Sequence, residues 1–139
     1  TESSNSLLIN DFRDELVKLS SHLRGKGIRL IMVGPLPFVI EANCGPTLAS
    51  PQWFAPNGAP CDYMSRNETY SRQQPVWSAL KDLEARGEIR VVDLMNVFCP
   101  TETCAFHNMD GEILYRDEFA HPSVEAAEIS ANVIMQAMW

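Results

Sequence analysis

The sequence predicts an α/β fold, a parallel sheet packed between helices. Three observations carry this reading: amphipathic stretches of helical period alternate with short apolar runs, the runs show no polar alternation, and Gly or Pro closes nearly every segment. With 139 residues, 45% hydrophobic and 21% charged, the chain has the size and balance of one globular domain, and wholesale disorder is excluded.

The elements follow in order. Leu8, Phe12, Leu16, Leu19 and Leu23 recur at three- and four-residue steps and predict a first helix, stopped by Gly25 and Gly27. Residues 28–34 are almost all apolar, which predicts a strand buried on both faces in the interior of a parallel sheet, ended by Pro35 and Pro37. Residues 41–68 carry Pro46, Pro51, Pro56 and Pro60 with little periodicity and predict a long loop. At its end, Asn67-Glu-Thr69 matches an N-glycosylation triplet, a pattern common by chance. A second helix is predicted over 70–85, with Val76, Leu80 and Leu83 inward and Gly87 as its stop, followed by a second interior strand over 89–94. Asn108-Met-Asp110-Gly111 is a hairpin-turn signal ahead of 112–115. Ser123 is placed to cap a last helix running to Trp139, with Val124, Ala127, Val133, Ile134 and Met138 as its apolar stripe. Two strands are few for a sheet with helices on both faces, and the first helix has no strand before it. The pattern reads as the second half of a fold in one domain without internal repeats.

Eleven basic against eighteen acidic residues give a formal charge of −7 and a pI near 4.8. Such a chain does not condense on phosphate backbones, so nucleic acid is excluded as a partner, and anionic membrane surfaces are disfavoured. No apolar run reaches about 18 residues; residues 28–40 come nearest, but contain Arg29, Pro35 and Pro37. The chain opens on Thr1 without a charged-then-apolar leader, from which we expect either a removed signal or a start inside a larger protein.

Four cysteines allow three pairings. Cys44–Cys61 with Cys99–Cys104 is the economical one, because each pair brackets a loop without regular period. The rival reading is zinc on Cys99, Cys104 and His107, although the spacing is not that of a zinc knuckle. Disulfides imply an oxidising compartment.

The densest polar cluster is Tyr115-Arg-Asp117-Glu118-Phe-Ala-His121-Pro-Ser123. A loop carboxylate a few residues before a histidine can hold that imidazole in one tautomer and stabilise its protonated form, as the acid of a Ser-His-Asp triad does. The bland alternative is an acidic lead-in to the last helix with a solvated histidine. Ser123 reads as a helix cap rather than a nucleophile, and Asn10 also reads as a cap. His22 and His107 read as exposed side chains. Trp53 and Phe54 are candidates for lining an acyl or sugar pocket, against the simpler role of pinning their loop.

Three stretches together resemble the extracytoplasmic SGNH-hydrolase-like domain fused to type-3 membrane acyltransferases. They are Gly25-Lys-Gly-Ile-Arg-Leu-Ile-Met-Val-Gly-Pro-Leu-Pro37, then Val91-Val-Asp93 with Cys99-Pro100 and Cys104, then Gly111-Glu-Ile-Leu-Tyr-Arg-Asp117 through His121. The resemblance spans nearly the whole chain and corresponds to the C-terminal part of that domain. It implies a three-layer α/β/α, flavodoxin-like fold and an O-acyl, most simply O-acetyl, transferase or esterase acting on cell-surface glycans. It further implies an acyl donor and a glycan acceptor as partners, no metal or organic cofactor, and a periplasmic or extracellular location tethered to the membrane. His121 takes the place of the family's catalytic histidine. The family spaces its acid three residues before the histidine: Glu118 keeps that spacing, whereas Asp117 keeps the Tyr-Arg-Asp context. Pro122 stands where the family has Leu. The family's Gly-Asp-Ser nucleophile block is absent from this sequence, and Ile9-Asn10-Asp11 only faintly echoes its Asn-Asp block. The resemblance therefore implies that the serine lies outside this chain and that the chain alone is inert.

Overall fold

A computed structural model describes residues 2–37, 65–104, 106–115 and 121–138. Its elements are α1 (Glu2–Arg24), β1 (Ile31–Val33), α2 (Arg66–Ala85), β2 (Arg90–Val92), a single turn α3 (Met95–Phe98) and α4 (Val124–Ala137). β1 and β2 pair in parallel, with Ile31 opposite Arg90, Met32 opposite Val91 and Val33 opposite Val92.

Side chains alternate across a strand, and here the alternation sorts the helices. Leu30 and Met32 pack with Leu16, Leu80, Leu83 and Ile89, which puts α1 and α2 on one face. Ile31 and Val92 belong to a second cluster with Ala126, Ile129 and Val133, which puts α4 on the other. Helices thus cover both faces of a parallel pair, an α/β arrangement as predicted. The strands are shorter than the apolar runs that announced them. Their interior position is not seen: among the described residues each has one strand neighbour, and Val33 is 40% exposed.

Two apolar stripes are rotated from their predicted phase. On α1, Leu8 and Leu19 are exposed, while Leu16 and Ser20 are buried and Phe12 and Val17 pack beside Leu16. The phase is set by the polar residues: Ser20 donates to the Glu88 carbonyl, and Arg13 lies 3.6 Å from Asp82 of α2. Asn10 is no cap, because α1 begins eight residues earlier. On α4, Val124 and Met138 face solvent; the small Ala126 and Ser130 are buried instead, which lets the helix approach closely. Val76, Leu80 and Leu83 of α2 face inward as expected.

Cys99 and Cys104 are disulfide-bonded, so the zinc reading of those thiols fails. The bridged loop seats on the start of α2. Ser65 caps that helix through a bond from the Glu68 amide at 3.0 Å, and its backbone bridges Thr103. The Arg66 amide donates to the Glu102 carbonyl at 2.9 Å, and the Thr69 hydroxyl donates to the Ser65 carbonyl and reaches the Cys104 sulfur at 3.4 Å. Of the triplet, Thr69 is 1% exposed, whereas Asn67 stands exposed in the first turn of α2. The predicted turn forms at 108–111: the Asn108 side chain accepts from the Asp110 and Glu112 amides, and Gly111 adopts a φ of 83° that favours glycine. The expected strand after it is reduced to single bridges, His107 with Ile113 and Tyr115 with Pro122. The expected Cys44–Cys61 bridge lies outside the described residues.

Candidate active site

In open α/β sheets the chemistry gathers at the carboxyl ends of the strands. At the end of β1, Gly34 extends the ladder through its amide to the Val92 carbonyl at 2.9 Å, and the Gly-Pro-Leu-Pro turn follows. Three side chains from elsewhere in the sequence hold that turn. The Trp77 indole lies against Gly34, where a Cβ would stand 2.1 Å from the ring. Gln73 donates to the Leu36 carbonyl at 2.8 Å and accepts from the Trp77 ring nitrogen at 3.2 Å. The Tyr115 hydroxyl, deep in the core, donates to the Pro37 carbonyl at 2.9 Å.

Tyr115 is itself wedged between aromatic rings, with centroids 5.1 Å from Phe98 and 5.6 Å from Phe106. Such pairs contribute about 0.5–1.5 kcal/mol each beyond burial. Burial also pushes the Tyr115 phenol upward, so it stays a donor at neutral pH. Because the Tyr115 backbone bridges Pro122, the chain next to His121 is fastened to the β1 turn. His121 is exposed at this end of the sheet, immediately before α4.

Ser123 is fully committed: its hydroxyl accepts from the Ala126 amide at 3.0 Å and donates to the Ile113 carbonyl. It caps α4, as predicted, and has no proton to give to a neighbouring base.

At the end of β2, Asp93 accepts from the Met95 amide at 2.8 Å, which starts α3, and from the Tyr70 hydroxyl at 2.6 Å. Desolvation, reinforced by the Asp93 carboxylate, pushes the Tyr70 phenol up to about 12. The sequence reading gave no site role to Asp93, which it named only within the Val91-Val-Asp93 stretch, nor to Tyr70, Gln73 and Trp77. An acid closing an apolar run was the available signal for Asp93; nothing local marks the other three.

Of the predicted site residues, His121 lies at this carboxyl end, while Asp117, Glu118, Trp53 and Phe54 lie outside the described residues. His22 is exposed in the last turn of α1, far along the sequence from this cluster, and His107 is half-buried in the hairpin bridge rather than exposed. No helix among the described residues is long and apolar enough to cross a membrane.

No curated protein and no solved structure matches the chain. Residues 1–136 do match a protein family, described as the SGNH domain (fused to AT3 domains). With nearly its whole length matched, the chain belongs to the family of SGNH domains fused to AT3 domains, hydrolase-like domains associated with membrane acyltransferases.

Proposed function

We propose that this chain is part of an O-acyl, most simply O-acetyl, transferase or esterase domain that modifies cell-surface glycans on the outer side of the membrane. His121 is the general base: it takes the proton of a serine hydroxyl as that oxygen attacks the acyl carbonyl, then returns it to the leaving group. Asp117 or Glu118 orients the imidazole. The serine is supplied by a part of the domain outside this sequence, which holds no Gly-Asp-Ser block. The chain is thus a portion of one SGNH domain, attached to a membrane acyltransferase domain. Trp53 and Phe54 line the acyl or sugar pocket.

The observation that carries this reading is the fastening of the segment beside His121 to the carboxyl end of β1 through Tyr115 and Pro37. The exposed Leu7, Leu8 and Leu19 of α1 and the half-open Val33 support further packing against the rest of the domain. The missing nucleophile block favours a second reading, a non-catalytic carbohydrate-binding or partner-docking domain on the same scaffold.

The test is acetyl transfer or ester hydrolysis by the full-length protein. His121→Ala should cost about 10³-fold or more in rate, whereas His22→Ala changes it little. Asp117→Asn and Glu118→Gln, singly and together, assign the acid. Near-wild-type turnover in His121→Ala removes the assignment and leaves the binding-domain reading; robust turnover by residues 1–139 alone shows that the nucleophile lies within them.

A further inference from the structure

A cleft of about 690 Å³ opens at the amino ends of β1 and β2, the end of the sheet opposite His121. Arg24, Arg29 and Arg90 line it together with Glu84 and Glu88. Both carboxylates and one of the arginines are already engaged. Arg24 donates to Glu88 at 2.6 Å and to the Gly87 carbonyl at 3.3 Å, and Glu84 accepts from the Val91 amide at 2.7 Å. Arg29 and Arg90 are left, and neither makes an ion pair among the described residues.

The fold holds these two close. Ile31 is the register partner of Arg90, and Arg29 precedes Ile31 by two residues, hence on the same face of the sheet. Two neighbouring guanidiniums that no carboxylate pairs, although Glu84 and Glu88 line the same cleft, stand out in a chain with a net charge of −7. The C-terminal ends of α1, α2 and α4 border the cleft through Arg24, Glu84 and Ala137, each supplying about half a negative charge; the amides of Gly27 and Ile28 take up the Arg24 and Leu23 carbonyls of α1, and those of Gly87 and Glu88 the Glu84 and Leu83 carbonyls of α2.

We propose that this cleft binds a phosphomonoester, with the phosphate held between Arg29 and Arg90. A carboxylate carries one charge and two oxygens, which a single guanidinium fork satisfies. A phosphomonoester carries about −1.5 to −2 and three terminal oxygens, which matches two forks. Leu30, Ile89 and Ala137 give an apolar wall for the body of the ligand, and the volume falls in the usual range for small-molecule sites. The site stands independently of the chemistry assigned to His121.

Calorimetric titration of the full-length protein with sn-glycerol 3-phosphate tests this, with glycerol as the blank. Saturable binding is expected, weakened at least tenfold by Arg29→Gln and by Arg90→Gln and unchanged by Lys18→Gln, the same charge loss on the outer side of α1. Arg29 is exposed, so its variant remains informative where Arg90→Gln perturbs the strand. Saturable binding that Arg29→Gln weakens less than tenfold, or that Lys18→Gln weakens equally, overturns the proposal. A second arm uses phosphatidylcholine vesicles with and without phosphatidic acid. Uptake that depends on phosphatidic acid and on Arg29 assigns the phosphate to a lipid; binding of glycerol phosphate without uptake assigns it to a soluble ester. Failure in both arms overturns the site.

Discussion

Replacing Gly34 with Ala isolates the contact on which the β1 turn rests. Gly34 is not among the glycines of positive φ, which are Gly27, Gly87 and Gly111, so an added methyl meets no backbone penalty. It meets Trp77: the new Cβ would stand 2.1 Å from Cη2 and 2.7 Å from Cζ2 and Cζ3. Carbon atoms rest at about 3.5–4.0 Å, so the indole must retreat by more than an ångström. It has little room, being 4% exposed, tied to Gln73, and packed against Tyr70 with ring centroids 5.5 Å apart. The cost belongs at the top of the overpacking range, about 3 kcal/mol, a large share of the 5–15 kcal/mol that holds a typical domain together. Urea unfolding followed by circular dichroism measures it, and a double-mutant cycle assigns it. In a Trp77→Leu background the Gly34→Ala penalty should fall below about 1 kcal/mol, a coupling of about 2 kcal/mol. A Gly34→Ala cost under 0.5 kcal/mol, or the same cost in both backgrounds, would refute the close approach.

Ser123→Ala removes the α4 cap and one bond to Ile113, and should lower unfolding stability by about 1–2 kcal/mol; a denaturant midpoint that does not move counts against the cap. Tyr70 and Tyr115 both titrate above the ordinary tyrosine value near 10. The native state therefore keeps protons that the unfolded chain has lost, so stability is intact below about pH 10 and declines as pH climbs through about 12. Tyr115→Phe should blunt that alkaline decline in denaturant midpoints taken from about pH 8 upward, and an unchanged pH profile would contradict the assignment. Replacing both Cys99 and Cys104 by Ala should cost about 2 kcal/mol, the small figure expected for so short a loop, and the native bridge, almost wholly buried, should resist reductants that open it in urea.

What the sequence made legible was local. Gly25 and Gly27 stop α1, Ser123 caps α4, and Asn108 to Gly111 turn the chain, because each acts on backbone groups within four residues. The parallel sheet was legible too, since a run such as 28–34 without polar alternation suits a strand covered on both faces. The phases of α1 and α4 were not, because periodicity gives a stripe's width and leaves its centre open by a residue. On α1 the polar Ser20 decides the centre through its bond to the Glu88 carbonyl; on α4 the small Ala126 and Ser130 decide it by fitting under the helix. The short α3 carried no period at all, and only the Asp93 bond to the Met95 amide explains its start.

The candidate site divides along the same line. The cluster from Tyr115 to Ser123 announces itself because its acids and its histidine are neighbours in sequence. The placement of Tyr115 and of the backbone beside His121 depends on a bond spanning 78 positions, from Tyr115 to Pro37, and on a core contact between Trp77 and Gly34. Neither residue of either pair looks unusual in its own surroundings. Tyr115 could be any strand aromatic, and Gly34 any glycine before a proline. They acquire meaning only jointly: Gly34 admits the indole, the indole and Gln73 fix the turn, and the turn offers the Pro37 carbonyl to the one phenol whose backbone continues toward His121. This chain of buried contacts fixes where the backbone beside His121 stands, which is what the general-base role proposed for it requires.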